Sequence, residues 1–356
     1  MKPRLPARLS RLLHGQFAPL KRLLLAWQAA RYVQGGRPRS GIAIYCRGTD
    51  ARRAATAISL HKAAGRLVAI DADLDWLRSR NGFSTAWRRL GVFVGLVSHP
   101  AVADGEWRAD LSDFVHDEGP VLGFCSNLRE SLLIPDRGFQ TSGGYLRQRR
   151  QALAAPPFDD RDDTILWRGS PTGSGALANA TMQAGDADLR QRIRMCLLLS
   201  AADRTNPQLR VDARIVPGRN ATADVAAAYR LGGIAGGSIP EDSWLGRKFA
   251  IDIDGHANAF SNLFIRLLYG CCVIKIASPA GFRQWYYDRL EPWRHYIPVA
   301  DDLSDLVERI VWCRANPDTC RSVAAAGRSL ALSMTPAGET RRTIELIRNR
   351  PWRQGP

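Results

Sequence analysis

The chain has 356 residues, enough for two domains of ordinary size, and its hydrophobic content of 45% is typical of a globular protein and excludes extensive disorder. Its formal net charge of +16 predicts an anionic partner, which could be nucleic acid, an acidic membrane or a phosphorylated substrate, although an arginine-rich composition alone gives the same charge. The seven cysteines form no C-x-x-C pair, which excludes the common zinc and redox motifs and favours reduced thiols.

Residues 1–40 carry nine Lys and Arg residues and no Asp or Glu. Leu20, Leu23, Leu24 and Trp27 recur at helical spacing, which predicts a basic amphipathic segment that lies on an anionic membrane surface. A helix packed on the protein's own core would show the same pattern. We expect no cleavable signal peptide, since Pro19 and its basic neighbours interrupt any apolar stretch. A cytoplasmic location, peripheral on the inner face of the cytoplasmic membrane, is the expectation.

Residues 41–155 are predicted to form an N-terminal α/β domain of alternating strands and helices. The composition shifts near 152–163, where prolines and acidic residues follow a basic helix, and this predicts a domain boundary. The predicted elements are a strand at 42–46, a helix at 51–65, strands at 66–71 and 90–97, a further strand at 119–125 and the basic helix after 145.

Residues 156–335 are predicted to form a second α/β domain, and 336–356 a closing helix. The predicted strands lie at 164–169, 248–254, 271–276 and 295–299, and the predicted helices at 188–202, 258–270 and 301–316. Asp301 or Asp302 is expected to cap the last of these helices.

Two strand ends in this second half indicate a ligand site, because ligands of open α/β sheets lie at the carboxyl ends of strands. One is the glycine-rich loop of "TILWRGSPTGSG" (164–175), whose backbone N–H groups suit a phosphate. It is not a Walker A loop, because Gly175 is followed by Ala176 and Leu177. The other strand ends at Asp254-Gly255, which suits a sugar or ribose hydroxyl. Together they predict a nucleotide with phosphates.

Two other functions are compatible with parts of the sequence. Asp71 and Asp73 end a strand in the Asp-x-Asp pattern of metal-dependent GT-A glycosyltransferases, although strand ends also collect acidic helix caps. The basic stretch "LRQRR" (146–150) suits nucleic acid, but no helix-turn-helix, zinc finger or RNP-type motif accompanies it, so no specific nucleic-acid partner is expected.

Three segments stand in an order that resembles glycosyltransferase family 90: "WRGSPTG" (167–173), 247–276 and 285–318, which includes "PWRHYIPV". The stretch "LLIPDRGFQTSGGY" (132–145) is similar to the bacterial branch of that family. The resemblance covers roughly residues 120 to 330. It implies a GT-B fold, with two Rossmann-like domains facing a cleft. It also implies an inverting, metal-independent transfer from a UDP-sugar, with no cofactor, to a glycan or lipid-linked acceptor such as lipopolysaccharide.

The resemblance also implies a set of donor-binding residues. Backbone groups and hydroxyls of the first loop would hold the diphosphate, and Arg168 or Arg192 would neutralise it. Ser261 stands where the glucosyltransferase branch carries an arginine, and Trp167 also fits core packing. The full set is Trp167, Arg168, Gly169, Ser170, Thr172, Gly173, Arg192, Asp254, Gly255, Asn258, Ser261 and His295.

An inverting transfer needs a group that deprotonates the acceptor hydroxyl. By the resemblance it is a carboxylate in "DFVHDEGPVLGF" (113–124), and Glu118 or Asp117 is the candidate, with Asp113 as the fallback. An acidic turn in solvent would give the same cluster.

Overall fold

The computed structural model describes residues 43–47, 52–73, 75–76, 79–218 and 221–354, without the side chains of 43–47 and 80–87. The predicted membrane-binding segment, residues 1–40, lies outside the described residues. The chain divides into two units. Unit 1 comprises Met1–Phe124, Leu128–Arg137 and Thr340–Pro356 as far as these ranges are described, and unit 2 comprises Cys125–Asn127 and Gly138–Glu339.

The secondary-structure elements of the described residues are numbered in chain order. The strands are β1 (Ala43–Arg47), β2 (Ala57–Ala63), β3 (Arg66–Asp73), β4 (Gly105–Asp110), β5 (Leu122–Gly123), β6 (Cys125–Ser126), β7 (Leu132–Leu133), β8 (Ile165–Gly169), β9 (Val211–Ile215), β10 (Phe249–Asp252), β11 (Cys272–Ile276), β12 (Arg283–Gln284), β13 (Ile297–Val299) and β14 (Arg353–Gln354). The α-helices are α1 (Arg80–Val97), α2 (Arg137–Thr141), α3 (Leu146–Leu153), α4 (Gln191–Thr205), α5 (Ala223–Leu231), α6 (Ser261–Leu268), α7 (Leu306–Ala315), α8 (Pro317–Ser333) and α9 (Pro336–Ile347).

Unit 1 is built on a mixed sheet of order β1-β3-β2-β4-β5-β7. The pairs β1–β3, β4–β5 and β5–β7 are parallel, whereas β2 runs antiparallel to both of its neighbours. The C-terminal strand β14 pairs antiparallel with the start of β4, so the chain end returns to unit 1. The predicted C-terminal helix is thus α9, and a strand follows it.

The helix predicted at 51–65 is wrong, because this segment contains strand β2. Ala64 and Gly65 join β2 to β3, and both have positive φ angles, 49° and 71°, as a two-residue type I′ hairpin turn requires. Residues 57–60 are fully buried between β3 and β4. The alanine-rich composition favours a helix by propensity, but pairing with two strands overrides that weak preference.

The strand predicted at 90–97 is also wrong, because these residues form the last two turns of the 18-residue helix α1. The apolar residues of 90–97 are nearly all buried, and a short buried run has no periodicity that separates a strand from a helix. The strand predicted at 119–125 is reduced to the two-residue strands β5 and β6. The regular βαβ pattern expected for residues 41–155 is therefore not what unit 1 adopts.

Unit 2 contains a five-stranded sheet of order β13-β11-β10-β8-β9 in which every pair is parallel. The four strands and three helices predicted for this half are confirmed, whereas β9, β12, α5 and α8 were not assigned from the sequence. Such a sheet is covered on both faces, and accordingly all five positions of β11 are buried. The α/β fold class is confirmed.

The strand order of unit 2 fixes where its ligand crevice lies. When the five strands are numbered in chain order, their order across the sheet is 2-1-3-4-5. Strand β9 therefore lies on one side of β8, and β10 lies on the other side. For this strand order, a ligand crevice is expected at the carboxyl edge of the sheet, beside the loops after β8 and β10. The glycine-rich loop and Asp254 follow these two strands.

The six cysteines whose side chains are described are free and buried. None of the helices in the described part of the chain has the length and apolar character that crossing a bilayer requires.

Helix α6 packs closely on α8, and a substitution at this contact tests the packing of the unit 2 core. A Cβ at Gly327 of α8 would lie 2.8 Å from Cδ2 of Leu267, whose side chain is only 1% exposed. We expect Leu267→Ala to lower the free energy of unfolding by about 2–5 kcal/mol, because the cavity it leaves cannot fully close. Chemical denaturation measures this loss.

The matched control is Leu231→Ala, because Leu231 of the same unit is 89% exposed. It should change stability by no more than about 0.5 kcal/mol. Equal effects of the two substitutions would contradict the described packing of α6.

Candidate functional site

A cavity of about 360 Å³ lies at the carboxyl edge of the unit 2 sheet. The loops after β8, β10, β11 and β13 line it with residues from 172–174, 254–256, 278–282 and 301–302, and the start of α4 completes the wall. Both loops at the switch point of the strand order are therefore part of one cavity. Its volume falls in the range of ligand pockets, roughly 300–1,000 Å³.

The two switch-point loops touch each other through glycines. A Cβ on Gly173, which has a φ of 129°, would lie 3.5 Å from the carbonyl oxygen of Gly255. A Cβ on Gly255 would lie 2.4 Å from Oγ1 of Thr172, a distance that no side chain tolerates. Thr172, Gly173 and Gly255 all line the cavity, as does Asp254. Glycine is therefore required at Gly255 for the loops to approach, and at Gly173 by the positive φ.

Arg192, in the first turn of α4, holds the two loops together. Its Nη1 donates to the carbonyl oxygen of Ser170 at 3.1 Å and to Oγ1 of Thr172 at 2.8 Å. Its Nε and Nη2 donate to the carbonyl oxygens of Asp254 and Ile253 at 2.8 and 3.0 Å. The side chain is 9% exposed, and burial lowers its pKa. Arg192 therefore shapes the cavity and is not one of its lining residues.

Arg168 is also committed to the protein. Its guanidinium pairs with the carboxylate of Asp212 on β9 and donates to the carbonyl oxygens of Trp167 and Asp212 at 2.8 and 2.6 Å. The structure thus directs Arg168 towards the neighbouring strand and not towards the cavity. The guanidinium that lines the cavity is that of Arg194, and the expectation that Arg168 or Arg192 neutralises a diphosphate stays a prediction.

The N-terminus of α4 opens onto the cavity through Gln191 and Arg194. Nε2 of Gln191 donates to the carbonyl oxygen of Asp301 at 2.6 Å, and Nη2 of Arg194 reaches that of Asp302 at 3.3 Å. Asp301 and Asp302 thus form part of the wall; the helix they were predicted to cap begins only at Leu306. A helix N-terminus with an adjacent guanidinium favours an anion.

Asp254 contributes a buried carboxylate. Its Oδ1 accepts a hydrogen bond from Nδ2 of Asn258 at 3.0 Å, while Oδ2 is buried and has no hydrogen-bond partner in the described part of the protein. Burial raises the pKa of Asp254, and the positive charge of Lys275 opposes that increase. A buried oxygen that lacks a donor favours a ligand that brings a hydroxyl or amine hydrogen.

Asn258 is itself fixed behind the cavity. Its amide also donates to the carbonyl oxygen of Phe282 at 3.2 Å, and its oxygen accepts from Sγ of Cys125 at 3.0 Å. Asn258 is therefore a support for Asp254 and not a lining residue.

The remaining donor-site predictions are distributed around the cavity. Trp167 is buried beneath the first loop, and its ring explains Gly169, where a Cβ would lie 2.5 Å from Cζ2. Ser170 is exposed, and Ser261 begins α6 without lining the cavity. His295 closes a turn before β13, where its Nδ1 accepts the backbone N–H of Glu291 at 3.0 Å. The structure thus gives His295 a structural contact away from the cavity wall, and burial lowers its pKa.

The acidic residues predicted as the base lie in a loop of unit 1. Asp117 forms an ion pair with Arg108, and its Oδ1 also accepts the backbone N–H of Ala54 at 3.0 Å. Asp113 pairs with Arg89 at 2.5 Å. Glu118 is exposed, and among the described residues no hydrogen bond or ion pair orients it. Of the three carboxylates, Asp117 and Asp113 are already occupied by arginines.

Asp71 and Asp73 lie on strand β3, two residues apart and hence on one face. Asp73 is buried, and its Oδ1 accepts the backbone N–H of Trp76 at 2.8 Å, as a capping residue does. Among the residues that the structure describes, no group of three or more His, Cys, Asp or Glu side chains is arranged to hold a metal ion.

Several lining residues were not predicted from the sequence: Gln191, Arg194, His256, Ser278 and Phe282. His256 directly follows the predicted pair Asp254-Gly255, and the loop after β11 has the Ser-Pro-Ala-Gly composition of a strand-end loop. These two features could have identified both loops from the sequence. No feature of the sequence favours Arg194 over Arg192 as the lining residue, because both lie on the same helix in the same basic stretch.

The comparison with protein families supports the resemblance. Residues 219–335 match the model of glycosyl transferase family 90. This segment contains β10, β11 and β13 with the loops that line the cavity. The resemblance predicted from the sequence is confirmed for this segment.

Similar curated proteins come from viruses and animals. The chain is 47% identical over 77 residues to uncharacterized protein 035R of Invertebrate iridescent virus 3, which covers 22% of this chain and 7% of that protein. It is 32% identical over 84 residues to protein O-glucosyltransferase 3 of Homo sapiens, which covers 24% and 16%. The alignments span less than a quarter of the length of the first curated relatives that the chain matches.

A solved glycosyltransferase structure from Rickettsia africae ESF-5 superposes on 98% of this chain and 85% of its own, with 8% sequence identity and a TM-score of 0.39.

We expect Arg192→Lys to loosen the two switch-point loops. An ammonium group cannot reproduce the fork of the guanidinium, and each lost charged hydrogen bond costs about 1.5–3 kcal/mol. The amides of 170–175 and 253–257 should then exchange with solvent at least about tenfold faster, as hydrogen exchange with mass spectrometry measures.

The control is Arg204→Lys on the same helix, because Arg204 is exposed and its side chain bonds only to Oγ of Ser200 within the described structure. Unchanged protection of both loops in Arg192→Lys would show that the guanidinium does not hold them.

Proposed function

We propose that this chain, whose residues 219–335 carry a glycosyl transferase family 90 domain, transfers a sugar from a UDP-sugar to a hydroxyl of an acceptor glycan. The proposed transfer inverts the anomeric carbon and needs no metal ion or other cofactor. We assign the chain the GT-B organisation, with unit 2 as the donor domain. The observation that carries the proposal is the cavity at the switch point of the unit 2 sheet, whose wall is built largely from the family segment.

The diphosphate of the donor would lie at the N-terminus of α4. The helix dipole there, together with the guanidinium of Arg194, supplies positive charge at one end of the cavity. The loop at 172–174 offers further backbone groups, and Gly173 lets them come close. Fixed charges of this kind stabilise the departing UDP without the reorganisation that solvent would need.

A hydroxyl of the donor would donate to Oδ2 of Asp254. This oxygen is buried at the cavity wall and has no hydrogen bond of normal geometry in the described structure, and the hydroxyl of Ser278 lies near the carboxylate, so the site suits a further hydroxyl donor. Sites built to bind a hydroxyl reject analogues that lack it. Asp254 is therefore our candidate for recognition of the ribose or the sugar.

The acceptor would lose its proton to a group in the loop that follows β4. An inverting transfer is a single displacement, so one positioned base must take this proton as the oxygen attacks. Glu118 and Asp117 are the carboxylates that the family resemblance assigns to this role. Asp117 already accepts from Arg108 and Ala54, whereas Glu118 is exposed.

We propose a surface glycan as the acceptor. A surface glycan such as lipopolysaccharide fits the bacterial branch that 132–145 resembles, and the net charge of +16 suits an anionic membrane surface. We propose that the chain acts in the cytoplasm at that surface, with residues 1–40 as the contact.

UDP should raise the thermal unfolding temperature of the protein, since a ligand that binds only the folded state stabilises it. At a concentration about 100 times the dissociation constant, the gain is about 2.7 kcal/mol. We expect Gly255→Ala to abolish most of this shift, because its Cβ would displace Thr172 and Arg192. Differential scanning fluorimetry measures the shift in unfolding temperature that UDP causes, and AMP serves as the comparison nucleotide.

Gly185→Ala is the control, because a Cβ there meets no atom within 4 Å and Gly185 does not line the cavity. It should keep the full UDP shift. A wild-type protein that UDP does not stabilise would refute the proposed donor site.

EDTA should leave sugar transfer unchanged, because α4 and Arg194 are proposed to do what a metal ion does in GT-A enzymes. Asp71→Asn should keep transfer within about threefold of wild type. Transfer measured as UDP release tests both. Loss of activity with EDTA that Mn²⁺ restores, together with loss in Asp71→Asn, would favour the metal-dependent alternative.

A further inference from the structure

One exposed helix face of unit 2 carries apolar and basic side chains together. Leu146, Arg150 and Leu153 of α3 are spaced four and three residues apart, so they share one face of the helix, and Arg147 borders it. Leu146 and Leu153 are 45% and 78% exposed, and both arginines are exposed. The fold therefore leaves apolar surface in water beside two positive charges.

The opposite side of α3 is fastened to the end of α8. Nη1 of Arg149 donates to the carbonyl oxygen of Leu332 at 3.0 Å, and its Nη2 donates to that of Ala331 at 3.0 Å. From α8, Nη2 of Arg328 donates to the carbonyl oxygen of Ala152 at 2.7 Å. Leu332 thus lies next to α3 and, at 36% exposed, adds a third leucine to this surface. We call Leu146, Arg147, Arg150, Leu153 and Leu332 the α3 patch.

The positive charge of the α3 patch is not neutralised by the protein. Within the part of the chain that the structure describes, no hydrogen bond or ion pair is made by the guanidinium of Arg147 or Arg150. The carboxylate that contacts this helix is that of Glu241, which accepts Nε2 of Gln148 at 2.9 Å on the side opposite Leu146. The patch therefore favours an anionic partner.

The exposed leucines decide which anionic partner fits best. Nucleic acid would meet the arginines through its phosphates, but its backbone offers no apolar surroundings to a leucine. A second copy of the chain, paired about a two-fold axis, would bring the same basic patch against itself. An anionic lipid surface satisfies both features, because it presents phosphates above an apolar layer.

We propose that the α3 patch is the contact of unit 2 with an anionic phospholipid surface. The leucines enter the boundary between headgroups and acyl chains, and the arginines meet the lipid phosphates. This inference rests on the membrane location proposed above and adds a contact within the folded unit to that of residues 1–40. It does not depend on the chemistry of sugar transfer.

The double variant Leu146→Gln, Leu153→Gln tests the apolar part. We expect its partition coefficient on vesicles of phosphatidylcholine with phosphatidylglycerol to fall at least about tenfold, because a leucine that is buried in lipid accounts for about that factor. Co-sedimentation of the full chain with the vesicles measures this. Leu231→Gln is the control, since Leu231 is 89% exposed on another helix of unit 2, and it should bind as wild type.

Arg147→Gln and Arg150→Gln test the electrostatic part. Each should lower binding to the phosphatidylglycerol vesicles about fivefold, because a basic side chain near an anionic surface contributes about that much. Binding to vesicles of phosphatidylcholine alone should not change. The control is Arg230→Gln, an exposed arginine of α5. All of these side chains are exposed, so the variants should fold and keep the wild-type thermal shift with UDP.

Wild-type binding to the vesicles by the leucine variant would overturn the inference, because the membrane contact would then lie elsewhere. A leucine variant that instead turns a wild-type dimer into a monomer, measured by analytical ultracentrifugation, would show an interface between copies. Loss of duplex DNA binding in the arginine variants, with vesicle binding intact, would show a nucleic-acid surface. Absence of a UDP shift in wild type, with the expected vesicle results, refutes the proposed transfer and leaves this inference standing.

Discussion

The buried guanidinium of Arg192 is the interaction on which the candidate site depends. A charge removed from water must be met by acceptors, and here they are backbone carbonyl oxygens and a hydroxyl from two separate loops. That requirement draws the loops after β8 and β10 together and leaves room for no side chain at Gly255. Arg192 thus ties both loops to the start of α4, and these three segments form part of the cavity wall.

Unit 1 uses the same physical device with the opposite sign. The carboxylate of Asp110 is buried at the end of β4, and it is satisfied by N–H groups from the loop that follows. One buried charge thus orders a loop in each unit. In unit 2, Arg194 and the start of α4 remain at the cavity wall and carry the proposed chemistry.

How much could be predicted from sequence differs between the units. In unit 2 the apolar runs of a parallel sheet are continuous, and every strand and helix predicted there agrees with the structure, although β9, β12, α5 and α8 were not assigned. In unit 1 an alanine-rich strand was predicted as a helix and the end of α1 as a strand. In both segments most of the apolar residues are buried in a short run, which carries too little periodicity to separate a strand from a helix.

By itself, the sequence determined the fold class, the glycine-rich loop, the strand end at Asp254-Gly255 and the family segment, because these features are contiguous in the chain. Tertiary structure alone decided which arginine lines the cavity and which is buried beneath it. It also decided that Asp117 is occupied by Arg108, and that His116 is oriented by a carboxylate six residues away. Hydrogen-bond partners depend on where the backbone brings separate segments, and no local pattern of residues records that.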